Sequence, residues 1–282
     1  MTCASSTRVW ARPDVTAILS PDRAQAGGKP LVSIQHVSKQ FANGTIAVRD
    51  VHLDLAAGEF VSLLGPSGCG KSTLLRMIAG LGEPSAGSID WSTMSHDAWG
   101  RPARELGFVF QDPTLMPWAT ALDNVILPLK LCGTGKSEAQ ARGVEMLALV
   151  GLKGFEASYP RELSGGMKMR VSIARALVTQ PKILLMDEPF AALDEITRHK
   201  LNDDLLRLWE ANRFTAVFVT HSVFESVYLS QRIVVMAARP GRVMADLRVE
   251  APYPRDDLFR TSADYAHWCR IASERLKEAI SS

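Results

Sequence analysis

The sequence predicts an α/β fold, because short apolar runs typical of buried strands alternate with segments whose apolar residues recur at helical spacing. The clearest example begins with the apolar run Phe60–Leu64, continues through a glycine-rich stretch and ends in a helix-like segment over residues 71–81. Further apolar runs at 107–110, 182–186, 216–220 and 233–236 are typical of other strands in the same sheet.

The composition and its changes along the chain predict three parts. The chain has 282 residues, of which 46% are hydrophobic and 22% charged, as in an ordinary globular protein. Residues 1–30, with several prolines and glycines, are expected to form a disordered tail. Residues 31–255 are expected to form the main domain, and within it residues 112–180 are predicted to be a mostly helical insertion. Residues 256–282 are predicted to be a C-terminal helical extension.

Charge and hydropathy exclude several function classes. The 32 Lys and Arg residues against 30 Asp and Glu residues leave a net charge of +2, too small to attract nucleic acid or an anionic membrane. No apolar run approaches the roughly 18 residues that a membrane span needs. The 4 scattered cysteines predict neither a disulfide framework nor a zinc site, which favours a reducing cytoplasm.

A phosphate-binding motif follows the strand Phe60–Leu64. Residues 65–73 read GPSGCGKST and match G-x-x-x-x-G-K-[ST]. The glycines let successive backbone N–H groups point at phosphate oxygens, and the N-terminus of the following helix adds positive potential. Lys71 is predicted to act in catalysis at the β- and γ-phosphates, and Ser72 to ligate Mg²⁺. The predicted nucleotide contacts in the loop are Gly65, Pro66, Ser67, Gly68, Cys69, Gly70, Lys71, Ser72 and Thr73.

Polar residues suited to hydrolysis follow three other predicted strands. Asp187 and Glu188 come directly after the apolar run 182–186, and Gln111 and His221 each follow another run. The carboxyl ends of parallel strands meet at one sheet edge, so these side chains are expected near the phosphate loop. Asp187 is predicted to hold Mg²⁺ and Glu188 to accept a proton from the attacking water. Gln111 can orient water or ligate the metal, and His221 can donate to the γ-phosphate.

A second glycine element lies at residues 163–167, which read LSGGM and precede another helix-like segment. Ser164 is a good N-cap, and the paired glycines Gly165 and Gly166 leave the first N–H groups of the helix open to an anion. The alternative is that this segment is an ordinary helix cap and turn that binds no anion. A second anion site this far along the chain from the first suggests that it completes the nucleotide site of another subunit.

With these motifs in one order, the sequence resembles the ATP-binding-cassette (ABC) ATPases over residues 31–250. The motifs are the phosphate loop at 65–73, the Q-loop at Gln111, the signature at 163–167, Walker B at 183–188, the D-loop at 191–194 and the switch histidine His221. The resemblance implies a P-loop NTPase core with a RecA-like mixed sheet, an antiparallel β subdomain and an inserted α-helical subdomain.

The resemblance also implies cofactors and partners. Two cassettes would enclose two ATP molecules with Mg²⁺, each between the phosphate loop of one subunit and the signature of the other. Ser164, Gly165 and Gly166 would then contact ATP across the dimer, and Phe41 would stack on adenine rather than join the core. The implied partners are a second ATPase subunit, most simply another copy, then transmembrane permease subunits and, through them, a solute-binding protein. The chain would work peripherally at the cytoplasmic face of the membrane.

The signature favours one subgroup of importers. It ends in Met167 where Gln is commoner, as in cassettes that power nitrate, sulfonate and taurine importers, and residues 116–118, 190–194 and 238–242 are similar to the same subgroup. An importer ATPase is therefore the leading interpretation, with the solute open. The alternative is a soluble, non-transport ABC ATPase acting on nucleic acid or ribosomes, which a second cassette, a coiled coil or a basic stripe would favour. A small-molecule phosphotransferase has no use for residues 163–167.

Overall fold

Three β-sheets, of six, three and two strands, and a group of helices make up the part of the chain that the computed structural model describes, residues 29–92, 95–96, 102–103 and 105–281. The predicted tail lies outside these residues except for its last two. The strands are β1 (Val32–Gln40), β2 (Ile46–Leu55), β3 (Phe60–Leu64), β4 (Ala86–Trp91), β5 (Ser95–His96), β6 (Pro102–Ala103), β7 (Leu106–Val109), β8 (Ile183–Asp187), β9 (Thr215–Thr220), β10 (Arg232–Ala237) and β11 (Arg242–Arg248). The helices are α1 (Lys71–Ala79), α2 (Ala121–Leu131), α3 (Lys136–Leu149), α4 (Gly165–Leu177), α5 (Glu195–Asn212), α6 (Val223–Leu229), α7 (Asp257–Arg260) and α8 (Ala263–Ser281).

The central sheet has six strands in the order β11-β10-β3-β9-β8-β7. Neighbouring strands of this sheet are parallel, except that β11 pairs with β10 in the antiparallel sense. Every residue of β3, β8 and β9 is buried, which explains why these strands read as continuous apolar runs rather than as alternating ones. The predicted α/β fold with a mixed sheet is confirmed.

The register of the central sheet brings the carboxyl ends of four strands to one edge. Leu64 of β3 is paired with Thr220 of β9, and Val219 of β9 is paired with Asp187 of β8. Strand β9, which His221 follows, therefore lies between the strand of the phosphate loop and the strand of the acidic pair. Strand β7 is next to β8 on the far side, so Gln111 also follows a strand at this edge.

The predicted antiparallel subdomain is a three-stranded sheet in the order β2-β1-β4. Along β2 the buried residues Val51, Leu53 and Leu55 alternate with exposed ones, as in a sheet with one face covered. These residues share a hydrophobic cluster with α1 residues, including Leu74, and with apolar residues of the central sheet. Helix α1 thus begins at the phosphate loop and is held by both sheets.

Three helices, α2, α3 and α4, lie within the region predicted to be helical, and they pack through one continuous hydrophobic cluster. The N-cap of α2 is Thr120, which accepts a hydrogen bond from the N–H of Asp123 at 3.1 Å. Asn124 is completely buried and donates to the carbonyls of Met116, Ala119 and Thr120, so the turn before α2 has a defined shape. Among the described residues, no helix has both the length and the apolarity required to cross a membrane.

A buried arginine attaches the C-terminal segment to the core. Arg255 is 4% exposed, and its guanidinium donates to the backbone carbonyls of Val227, Tyr228, Ser230 and Ala251 at 2.7–3.1 Å. Burial lowers the pKa of Arg255 from its ordinary value. Beyond it, α8 packs on α6 and β10.

Replacing Phe60 with alanine should lower the free energy of unfolding by about 3–5 kcal/mol, because the change leaves a cavity among packed aromatic rings. Phe60 is fully buried, with its ring centroid 5.6 Å from that of Trp209 and 6.4 Å from that of Phe218. Denaturant unfolding followed by tryptophan fluorescence measures the loss. The control Leu131→Ala removes a side chain that is 67% exposed, and an equal loss in both variants would contradict this account of the core.

Candidate functional site

The loop between β3 and α1 has the backbone shape that phosphate binding requires. Gly68 and Gly70 have φ values of +76° and +91°, in the left-handed region that favours glycine. A Cβ on Gly70 would lie 2.6 Å from the carbonyl oxygen of Ala47, so only glycine fits there. No side chain caps the N-terminus of α1, and its first N–H groups can therefore bind an anion.

The predicted nucleotide-binding residues of this loop differ in exposure. Ser67 and Gly68 are exposed, Pro66, Gly70, Ser72 and Thr73 are partly buried, and Gly65, Cys69 and Lys71 are buried. The Lys71 ammonium, 3% exposed, donates to the carbonyls of Gly65 at 2.8 Å and Pro66 at 3.0 Å. Burial raises the pKa of the Cys69 thiol, which keeps it neutral beside this cation.

The residues predicted to bind a metal include two that touch. Ser72 Oγ donates to Oδ1 of Asp187 at 2.6 Å, and Asp187 is 5% exposed. Hydroxyl and carboxylate oxygens are the ligands that Mg²⁺ prefers, so this pair fits the ion that the sequence predicts. Gln111 is exposed beyond the end of β7. The structure thus brings Ser72 and Asp187 together and leaves Gln111 at the same sheet edge.

The carboxylate of Glu188 lies between two groups that follow other strands. Its Oε1 is 3.8 Å from Nζ of Lys71, and its Oε2 is 3.3 Å from Nδ1 of His221. The backbone of Glu188 has a φ of +47°, a conformation that costs a non-glycine residue free energy. Its N–H donates to the carbonyl of Val219 at 3.1 Å, which holds it against β9. A carboxylate placed in this way can accept a proton from water beside a bound phosphate.

The second glycine element lies apart from the loop, at the start of α4. Ser164 is its N-cap, and its Oγ accepts a hydrogen bond from the N–H of Met167 at 3.3 Å. Ser164 and Gly165 are exposed, whereas Gly166 is buried so closely against α5 that a Cβ would lie 2.7 Å from Cγ2 of Thr197. The element therefore presents a helix N-terminus to the surface, where it can bind an anion.

Solvent exposure separates Met169, which is a core residue, from Phe41, which is not. Met169, in the helix that begins at the signature, is 2% exposed and belongs to the large hydrophobic cluster. Phe41 is 46% exposed in the turn after β1, with Nζ of Lys39 5.9 Å from its ring centroid. Phe41 is therefore not a core residue, and its ring is accessible to a planar ligand.

Sequence reasoning missed the support beneath the phosphate loop. Gly241, before β11, donates from its N–H to the carbonyl of Ala47 at 3.1 Å and accepts from the N–H of Arg49 at 2.8 Å. A Cβ on Gly241 would lie 2.1 Å from the carbonyl oxygen of Cys69. The backbone of Gly241 therefore lies directly against the loop. The only signal in the sequence is the Arg-Pro-Gly triplet at 239–241, which by itself indicates a turn.

Comparison with known proteins agrees with this site. Residues 48–191 match the family described as ABC transporter. The chain is 43% identical over 255 residues to an uncharacterized ABC transporter ATP-binding protein of Methanocaldococcus jannaschii, covering 89% of this chain and 93% of that one. It is 45% identical over 227 residues to the aliphatic sulfonates import ATP-binding protein of Bacillus cereus, covering 79% of this chain and 88% of that one.

Two solved structures are also similar to this chain. One is an ATP-binding cassette in a dimeric, post-hydrolysis state with ADP and Pi, with a TM-score of 0.69 and 35% identity over 78% of this chain and 100% of that one. The other, from Clostridium perfringens, is part of the ABC transporter complex cbiONQ. Its TM-score is 0.69, at 26% identity over 78% of this chain and 89% of that one.

Replacing Gly241 with alanine should weaken ATP binding by about tenfold or more, a loss of ~1.4 kcal/mol, because the added Cβ forces the loop backbone to move. Titration with a fluorescent ATP analogue measures the affinity. The control is Gly82→Ala, since a Cβ on Gly82 meets nothing within 4 Å. Equal affinities in Gly241→Ala and in the unsubstituted chain would show that Gly241 does not support the loop.

Proposed function

Because this chain belongs to the ABC transporter family of ATP-binding proteins, we propose that it is the ATP-hydrolysing subunit of an importer and works as a dimer with a separate membrane permease. The proposal depends on the position of the Glu188 carboxylate. It lies between Lys71 and His221, beside the junction of the phosphate loop and α1. Members of this family are ATPases, and the chain has the loop, the carboxylate and the helix terminus that hydrolysis of ATP requires.

The residues at the sheet edge have separate roles in the hydrolysis: phosphate binding, Mg²⁺ binding and proton transfer. The backbone N–H groups of the loop and Lys71 bind the phosphates, and Ser72, Asp187 and Gln111 would hold Mg²⁺, which supplies charge neutralisation on the triphosphate. Glu188 accepts a proton from water as the water oxygen bonds to the γ-phosphorus and the bond to the bridging oxygen of ADP breaks. The products are ADP and phosphate.

His221 and Phe41 complete the site within one subunit. The imidazole of His221 is half-exposed and faces the Glu188 carboxylate, so it can donate to an oxygen of the γ-phosphate. The exposed ring of Phe41 is available to stack on adenine.

The position of the second glycine element supports a dimer. Ser164 and Gly165 are exposed, and the contacts of the neighbouring Gly166 are with α5 rather than with the phosphate loop. An anion bound by this helix N-terminus and by the phosphate loop of a second copy would be enclosed by both. We therefore place Ser164, Gly165 and Gly166 on the ATP of the partner subunit in this proposal.

An exposed segment after β7 supports a permease partner. Trp118 is 75% exposed although it follows the apolar residues Leu115 and Met116. Asn124 holds the backbone of this segment in place through its bonds to Met116. Residues 112–118 would form part of the groove that receives a cytoplasmic helix of the permease, which places the chain at the cytoplasmic face of the membrane.

The solute class is inferred from the signature and from one relative. The signature ends in Met167, as in cassettes of nitrate, sulfonate and taurine importers, and the Bacillus cereus relative is named for import of aliphatic sulfonates. We propose a small oxyanion of this kind, delivered to the permease by a solute-binding protein.

A chromosomal Lys71→Ala substitution should abolish growth on one of three nutrients: nitrate as the only nitrogen source, or taurine or an alkanesulfonate as the only sulfur source. The physical reason is that removal of the ammonium stops hydrolysis and therefore uptake. Growth on ammonium and sulfate should not change. The control Lys277→Ala removes an exposed cation on α8. Normal growth of the Lys71→Ala strain on all three nutrients would contradict this importer assignment.

Glu188→Gln should keep ATP affinity, reduce hydrolysis by about 10²-fold or more, and accumulate a dimer with ATP and Mg²⁺, because the amide keeps the shape but cannot accept the proton. Light scattering measures the dimer. Adding Ser164→Arg should abolish the dimer without changing the ATP affinity of the single subunit, since Ser164 belongs to the partner's site. The matched control Ser137→Arg alters an exposed serine of α3. A Ser164→Arg chain that still forms the dimer would rule out the shared site.

A further inference from the structure

A buried acidic side chain lies behind the candidate catalytic residues. Glu225, in the first turn of α6, is 8% exposed, and its Oε2 accepts a hydrogen bond from Oγ1 of Thr220 at 2.5 Å. Thr220 directly precedes His221, and its Oγ1 also accepts the N–H of Ser222 at 3.0 Å. Burial raises the pKa of Glu225. Glu225 thus supports both sides of His221 without contacting a phosphate site.

The cation that faces Glu225 comes from the segment after Walker B. Arg198, near the start of α5, donates from Nη2 to the carbonyl of Leu193 in the D-loop at 2.8 Å. Its Nε lies 3.9 Å from Oε1 of Glu225. The side chains of Arg198, Glu225, Thr220, His221 and Glu188 line one small pocket.

The two facing atoms are unsatisfied within the described part of the chain. Nε of Arg198 and Oε1 of Glu225 are both buried and neither has a hydrogen-bond partner. A separation of 3.9 Å is too long for a hydrogen bond but short enough for one small shift, or one water, to complete it. A buried charged atom without a hydrogen-bond partner raises the free energy of the folded protein. Contact between these two atoms is therefore favoured whenever the surrounding loops permit it.

We propose that Arg198 and Glu225 are positioning residues that connect the D-loop to the switch histidine. The connection runs from the Leu193 carbonyl through Arg198 and Glu225 to Thr220, which precedes His221. It rests on the proposed function, because the D-loop lies beside the shared signature and the partner subunit would displace it. Closure of the dimer brings Nε of Arg198 onto Oε1 of Glu225 and thereby sets His221 and Glu188 for hydrolysis.

A purely structural role and a role in positioning His221 predict different results for variants of this pair. If Arg198 and Glu225 only stabilise the fold, their loss lowers the melting temperature and leaves the turnover of the folded enzyme unchanged. If they set His221, their loss lowers kcat, while KM and the Kd for ATP stay the same because no phosphate or adenine contact is removed.

The test measures kcat, KM, the Kd for ATP and the melting temperature of purified Glu225→Gln, Arg198→Gln and the double variant. We expect kcat to fall about tenfold in each, KM and Kd to stay within about twofold, and the double variant to lose no more than either single variant, since all three break one connection. Arg207→Gln is the matched control, because that guanidinium is 73% exposed on the same helix. Thr220→Val breaks the other end of the connection and should lower kcat similarly, which keeps the test valid if Glu225→Gln does not fold.

Unchanged kcat in the folded variants, a lower melting temperature with normal kcat, or additive losses in the double variant would each overturn the proposal. The unsubstituted chain and the Glu188→Gln dimer are measured in parallel. An unsubstituted chain without ATPase activity or a Glu188→Gln chain that stays monomeric counts against the proposed function. An active chain whose Arg198 and Glu225 variants are also fully active counts only against the connection.

Discussion

The parallel register of four neighbouring strands is the constraint on which the site depends. Because β3, β9, β8 and β7 end at one edge, the residues that follow them are brought together from distant parts of the sequence. Strand β9 lies between β3 and β8, and the Glu188 carboxylate after β8 is within 4 Å of both Lys71 and His221. A one-residue slip in either pairing would turn every side chain of the slipped strand to the opposite face and separate these groups.

Several local features at this edge of the sheet are energetically unfavourable, and specific hydrogen bonds offset their free-energy cost. Lys71 and Asp187 are buried charges, and each is costly unless it is hydrogen-bonded. Their partners are the carbonyls at the start of the loop and the Ser72 hydroxyl. Glu188 occupies the left-handed region and is held by its bond to Val219. These bonds connect loop, helix and sheet, so the charged groups keep fixed positions relative to each other.

Local patterns in the sequence predict the elements that are strongly apolar or rich in glycine. The run Phe60–Leu64 and the loop after it are found as predicted, because burial on both faces and phosphate-binding backbone leave clear patterns. Helix α1 ends at Ala79 rather than at residue 81, since Gly80 adopts a φ of +74°. Helix α5 was not predicted, because its charged residues obscure the apolar spacing. The proximity of the Arg198 and Glu225 side chains depends on tertiary packing, which no local sequence pattern encodes.

The guanidinium of Arg255 has a consequence for how the C-terminal segment can be altered. It satisfies three carbonyls around the end of α6, those of Val227, Tyr228 and Ser230. Ending the chain before Arg255 would therefore delete the donor while keeping its acceptors. Truncated forms made for crystallisation or for fusion to a reporter should therefore retain the chain through α8, with any added sequence placed after it.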